Sequence, residues 1–283
     1  MKYKSFFFIV IFFHFVMFGN VSGKNDFEQK IADGTVNWST RTLYITGGGV
    51  AEINGSDLIS ARLSAERSAI KNSIERAEEA IQTILINRKL SIKDFTENSS
   101  KIRTGLERHI RKSQPESSRY FSDGSVEFIF AIPFEVFLES VLSDFRKNEV
   151  SKKEENETGD KSLKRIELDS SDNNTKEVLV IKFGKQNFLP QLSPTVIGHD
   201  SVIIYDVASQ TLEKSGNGAV FYASKSAQEF LAGLDKKGKE LVVSVSSVKN
   251  DNTVVLNKEA TEKIKKELAP DALKNGNVIF LFP

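Results

Sequence analysis

Ser125-Val126-Glu127-Phe128-Ile129-Phe130-Ala131-Ile132 alternates by twos. Val126, Phe128, Phe130 and Ile132 point to one side, and Glu127, Ile129 and Ala131 to the other, the pattern of a strand with one face on a core. Asp123-Gly124 just before it is a strong turn signal, and Ser117 to Phe121 supplies the partner strand of a hairpin. Pro133 ends the strand and suits the first turn of a helix over Phe134 to Phe145. There Phe134, Phe137, Leu138, Val141, Leu142 and Phe145 make one apolar face. A hairpin feeding a helix predicts an α+β domain, an antiparallel sheet with helices packed on it.

Toward the N-terminus, residues 34–53 read as a further hairpin, with Val36, Trp38, Leu43, Ile45, Val50 and Ile53 as strand residues. Gly47-Gly48-Gly49 is expected to break the run as a bulge or tight turn. It lacks the Gly-Lys-Ser/Thr ending and the Gly-x-Gly-x-x-Gly spacing of phosphate-binding loops. A long helix is expected from Asp57 to about Asn87, with Asn54, Ser56 and Asp57 as cap candidates. Leu63, Ile70, Ala77 and Ile84, joined by Ile74 and Ile81, form its apolar stripe, and Ala61, Ala65 and Ala69 a second, small face suited to close approach of a sheet. Asn98 to Lys112 reads as a shorter helix carrying Ile102, Leu106 and Ile110.

Toward the C-terminus, residues 146–176 mix basic and acidic side chains and offer almost nothing to a core, the composition of a charged flexible linker. It divides a first domain, 24–145, from a second, 177–283, each expected to be an antiparallel or mixed sheet with helices. In the second, strands are expected at Val178–Phe183, Thr195–Ile197, Ser201–Tyr205, Ala219–Tyr222, Leu241–Val248 and Val278–Phe282. Phe188 to Pro194 reads as a proline-punctuated loop, Gly216 and Gly218 bracket a turn, and helices are expected at Ser224–Leu231 and Leu256–Leu268, the latter capped by Asn257.

Residues 1–23 have the order of a secretory signal: Lys2 and Lys4, an apolar run from Phe6 to Phe18, then Val21 and Gly23 as the small pair before cleavage. The run is shorter than the ~20 residues of a comfortable membrane span, although an uncleaved anchor is the alternative. The 283 residues hold 39 Lys and Arg against 38 Asp and Glu, so no basic field exists to hold nucleic acid by counterion release. Cysteine is absent, which excludes disulfides, thiolate metal sites, cysteine nucleophiles and a lipidated N-terminal cysteine. An exported chain without cysteine suits a bacterial envelope better than a eukaryotic extracellular space.

Trp38, the glycine-containing strand, Ala61-Arg62-Leu63-Ser64-Ala65-Glu66-Arg67-Ser68-Ala69 and the hairpin strand Ser125–Ile132 together resemble a bacterial envelope family. It comprises outer-membrane lipoproteins of the LPP type and the N-terminal module of the flagellar assembly protein FlgT. The resemblance covers residues 36–145. Pro190 to Pro194, Tyr205, Gly218-Ala219-Val220-Phe221-Tyr222, Ser224–Leu231 and Leu241–Val248 resemble the extended members. Lys182-Phe183-Gly184 stands where those members carry an Asp-Ala-Arg-like stretch, and Gly23-Lys24 where relatives carry a lipobox cysteine. The resemblance implies an envelope protein and no catalytic residues.

Chemistry-bearing residues are sparse. His14 lies in the signal, and His109 lies among Arg108, Arg111 and Lys112, where a surface role is expected. His199-Asp200, in an expected turn, is the pair from which a metal or triad role could be built, but a lone His-Asp pair is a weak signal. Glu78-Glu79 and Glu154-Glu155 lie on expected exposed helix and linker sequence. No catalytic, cofactor-binding or metal residue is assigned, and no cofactor is expected. The expectation is a non-enzymatic structural or assembly protein of the periplasm or outer membrane, associated with the flagellum or motility. Its partners would be other envelope or flagellar proteins or a second copy, with peripheral membrane association and no nucleic acid. The alternatives are a surface-exposed adhesin or host-ligand-binding protein and, third, a hydrolase using His199 and Asp200.

Overall fold

The computed structural model describes residues 26–51, 57–133, 141–142, 145, 164–169, 176–206, 220–224, 239–275 and 277–283. The first half is a five-stranded antiparallel sheet. Its strands are Glu28–Ile31 (β1), Gly34–Asn37 (β2), Thr42–Gly49 (β3), Pro115–Tyr120 (β4) and Val126–Pro133 (β5), in the order β1-β2-β3-β5-β4. Val126, Phe128, Phe130 and Ile132 of β5 are buried, as the alternation predicts. The β4–β5 turn closes with Gly124 at φ +81°, where glycine is favoured, and with the Ser125 N–H donating to the Asp123 carboxylate at 2.9 Å. β1 is a polar edge strand that the alternation did not announce.

Helix Leu58–Gln82 (α1) crosses β3 and β5, capped by Asp57, which accepts from the Ser60 N–H. Two expectations are corrected here. Gly47-Gly48-Gly49 neither bulges nor turns; it continues β3, paired with Phe128, Glu127 and Val126. The glycines are there because the helix backbone lies against them. A Cβ on Gly47 would sit 1.9 Å from Ser73 Oγ, and one on Gly49 1.9 Å from the Ala65 carbonyl oxygen. The face that α1 buries is accordingly the small one: Ala61, Ala65, Ala69, Ser73, Ala77, Ala80 and Ile81. Leu63 and Ile70, expected in the apolar stripe, are 47% and 38% exposed. Larger side chains would hold the helix off the sheet. β2 ends opposite Ile45, leaving the far edge of β3 unpaired. α1 satisfies it: Asn72 Nδ2 donates to the Gly48 carbonyl at 2.8 Å, and the Arg76 guanidinium to that of Thr46 at 2.9 Å.

A short helix, Ile92–Glu97 (α2), opens with a reciprocal Ser91–Asp94 capping box, and Ser100–Lys112 (α3) buries Ile102, Leu106 and Ile110 as expected. Of the helix expected over 134–145, Val141, Leu142 and Phe145 are helical and buried, and the rest lies outside the described residues.

The second half contains strands Val178–Lys182 (β6), Val196–Ile197 (β7), Ile203–Tyr205 (β8), Phe221–Ser224 (β9), Glu240–Ser244 (β10), Ser247–Val248 (β11), Val254–Val255 (β12) and Val278–Phe282 (β13). β10-β6-β13-β9 form a parallel sheet, and β11-β12-β7-β8 a smaller mixed one. Helices Lys258–Glu267 (α4), capped by Asn257, and Pro270–Lys274 (α5) precede β13. The fold is α+β. The single strand expected over Leu241–Val248 is two: Val245 still bonds Lys182, and Ser246 already bonds Val255 in the other sheet. Gly216, Gly218 and residues 225–231 lie outside the described residues.

Within the expected linker, residues 164–169 run beside β8. Ile166 donates to the Ile203 carbonyl, Ile203 to that of Lys164, and the Arg165 guanidinium meets both Asp206 oxygens at 2.9 and 3.0 Å. Ile166 and Leu168 pack on the core, so two apolar residues that the surrounding charge obscures are structural. Residues 146–163 and 170–175 lie outside the described residues.

Side chains of the two halves share one buried cluster. Trp38 and Phe27 pack on Tyr222 at 5.3 and 6.1 Å between ring centroids, and Phe27 stacks on Phe282 at 4.3 Å. The Ser39 hydroxyl donates to the Tyr222 carbonyl at 2.6 Å, and the amides of Leu192 and Ser193 to the carbonyls of Leu85 and Ile86.

Candidate functional site

His199 and Asp200 fall, as expected, in a turn; it is closed by the Ser201 N–H on the Gly198 carbonyl, with Ser201 at φ +58°. The imidazole Nε2 is 4.0 Å from Asp200 Oδ1, and the side chains are 59% and 82% exposed. Both side chains are exposed, so the pair has the weak, solvent-screened character of a surface contact. The Thr261 hydroxyl accepts the His199 N–H, and its own proton goes to the Asn257 carbonyl. Among the described residues, no three His, Cys, Asp or Glu side chains stand close enough to hold a metal ion. His109 is half-buried rather than fully on the surface, with Nε2 2.8 Å from the Pro133 carbonyl at the end of β5. Glu78 meets Arg111 at 3.4 Å. Glu154 and Glu155 lie outside the described residues.

The buried phenol of Tyr222 is fully satisfied. Its O–H donates to the Gln191 carbonyl at 2.6 Å and accepts the Gln191 N–H at 3.1 Å. Burial pushes its pKa far above the usual phenol range. This is a packing device with a polar handle.

An open surface with shape lies where α1 begins. Leu58, Ala61 and Arg62 of α1 and Tyr120, Phe121 and Gly124 of the β4–β5 hairpin line a cavity of about 230 Å³. The Arg62 guanidinium lies 4.1 Å over the Tyr120 ring, a cation–π shelf on one side. Of the lining residues, Leu58 is about three-quarters exposed and Tyr120 and Phe121 about half exposed. The Asp123 carboxylate at the rim is occupied by the Ser125 hydroxyl and N–H, which hold it below the usual carboxylate range. What the arrangement offers is apolar area, a ring face and the Arg62 guanidinium, which lies 3.6 Å from Glu66. Single exposed apolar residues are ordinary, whereas a contiguous group marks an interaction surface.

Sequence reasoning did not single out this patch. Its signal was present in Leu58-Ile59, two large apolar residues in the first turn of a helix whose buried face is alanine. Leu58 falls on the same helical face as Ala61 and Ala65, yet burial of that face begins only at Ala61, which leaves Leu58 exposed.

No family model matches the chain, and no curated protein matches it. Among the described residues, no helix is long and apolar enough to cross a membrane.

Proposed function

We propose that the chain is an exported bacterial envelope protein that works by packing against other proteins, as a structural or assembly component and not as an enzyme. The observation that carries this reading is the exposed apolar surface of Leu58, Tyr120 and Phe121 lining one cavity. The signal-like order of residues 1–23 supports export. The exposed setting of His199 and Asp200 supports giving them no chemical role. The resemblance to LPP-type lipoproteins and to the FlgT module makes motility the first phenotype to score.

The test is complementation of a deletion strain, scored for motility and envelope integrity at equal protein levels. Leu58→Ser with Phe121→Ser removes apolar surface at exposed positions and should leave fold and export intact while complementation fails. Full complementation by that variant would sink the packing role. A stable, exported His199→Ala variant that fails to complement would instead bring back a chemical role for the turn. Protease treatment of intact cells separates the periplasmic reading, in which the protein is protected until the outer membrane is opened, from the adhesin reading, in which it is digested.

A further inference from the structure

A second opening lies farther along α1. Arg67, Ile70, Lys71, Ile74 and Glu75 of α1 and Arg111 of α3 line a shallow groove of about 490 Å³. Its floor is apolar: Ile70 is exposed and Ile74 half-buried. Its rim carries three cations: Lys71 lies 3.7 Å from Glu75 and Arg111 3.4 Å from Glu78, while Arg67 has no ion pair among the described residues.

α3 extends the same charge. Lys101, Arg103, Arg108, Arg111 and Lys112 are all exposed, and Glu107 is the helix's one acid. Burial of Ile102, Leu106 and Ile110 fixes the inner face, so a turn of about 100° per residue centres Lys101, Thr104, Arg108 and Arg111 on the outer one. Gly105 lies beside them with open space around it. Among the described residues, Arg67, Lys101, Arg103, Arg108 and Lys112 form no ion pair. Arg108 and Lys112 are a like-charge pair four residues apart, which weakens a helix. A chain of nearly balanced charge thus concentrates on one helix four cations that have no ion pair among the described residues, at a local cost that an external anion would relieve.

We propose that the adjoining faces of α1 and α3 bind an anionic phospholipid surface. Arg67, Lys71, Arg111 and the outer cations of α3 meet the phosphates, and Ile70 and Ile74 meet the apolar region beneath them. The apolar side of α3 is already committed to the core, so the helix cannot sink into the bilayer as an interfacial amphipathic helix does. Binding is therefore peripheral and salt-sensitive. The isoleucine floor favours a lipid over a nucleic acid, whose backbone would make no use of it.

The test is sedimentation of the full chain with vesicles of phosphatidylglycerol and phosphatidylcholine in equal parts, and with vesicles of phosphatidylcholine alone. The segment Phe6–Phe18 would attach to either kind. The readout is therefore the preference for anionic vesicles, compared among variants that share that segment. Each neutralised cation should weaken anionic binding about fivefold. Arg108→Gln with Lys112→Gln, and Arg67→Gln with Arg111→Gln, should each lose about 25-fold. Lys249→Gln, an exposed cation of the second half, should change nothing, and the exchange Arg108→Lys with Lys112→Arg should retain binding. Raising salt from about 0.1 M to about 0.5 M should remove the preference. Unfolding midpoints confirm that the variants are folded. Equal binding to both vesicle types, or unchanged binding by both double variants, would overturn the proposal. So would preferential capture of soluble polyglutamate, which would make the partner an acidic protein.

Discussion

A methyl group placed on Gly49 tests the contact on which the first half is built. It would lie 1.9 Å from the Ala65 carbonyl oxygen, 2.8 Å from its carbon and 2.9 Å from the Ala69 nitrogen. All three are backbone atoms, so no side-chain rotation relieves the clash. Restoring contact near 3.4 Å requires α1 to retreat by about 1.5 Å, and the alanines it carries cannot refill the gap. The φ of Gly49 is not positive, so alanine is unstrained there, and the stiffer unfolded chain returns about 0.4–1 kcal/mol. Against an overpacking cost of about 1–3 kcal/mol or somewhat more, the expected net loss is about 2 kcal/mol. At a urea m-value of about 2–3 kcal/mol per M, the midpoint falls by nearly 1 M. Gly105→Ala is the matched opposite: a glycine inside a helix with open space around it, which should gain about 0.8–1.0 kcal/mol. Trp38, the sole tryptophan, is buried where the two halves meet, and its fluorescence through a urea titration reads both variants. A Gly49→Ala midpoint at or above that of the parent would refute the close-approach argument.

Three further outcomes are expected. Tyr222→Phe strips the Gln191 N–H and carbonyl of their buried partner and should cost about 1–3 kcal/mol by urea unfolding. Ser91→Ala should cost about 1 kcal/mol at neutral pH through loss of the α2 cap. It also changes the acid limb. The Ser91 hydroxyl, and then its N–H, hold the Asp94 carboxyl below the usual range. A depressed carboxylate adds stability above its unfolded value of about 3.9 that is lost as pH falls through its lower folded value, so the variant's midpoint should fall less steeply below about pH 4. Leu63→Lys should stay within about 0.5 kcal/mol of the parent because the residue is half exposed, whereas Ala69→Leu should lose about 1–3 kcal/mol, a contrast that thermal unfolding of both would read.

Features decided within a few residues were legible in the sequence. Asp123-Gly124, the alternation of Val126 to Ile132, and the caps Asp57 and Asn257 carry their own local chemistry. Features decided by a distant partner were not. Gly47 to Gly49 look like punctuation until the backbone of α1 is laid across them. The same contact chooses alanine over leucine as the buried side of that helix, a choice that periodicity leaves open because both stripes repeat at helical spacing. β11 and β12 are two residues each, too short for any period. The patch at Leu58 and Phe121 was hidden by a reasonable assumption, that large apolar residues in regular elements face inward. The turn at His199 and Asp200 is legible in the sequence, whereas the exposure of their side chains depends on how the turn sits on the fold.

The order of strands in the parallel sheet also sets a timetable. β6 lies between β10 and β13, and β13 is made almost a whole half-chain later. At about 5–20 residues per second, synthesis leaves Val178 to Lys182 without its second neighbour for on the order of ten seconds. Parallel pairing across so long a loop is slow in its own right. During that interval a strand with four apolar residues, Val178 to Ile181, has one edge unpaired. The parallel sheet therefore cannot close until the last strand of the chain arrives.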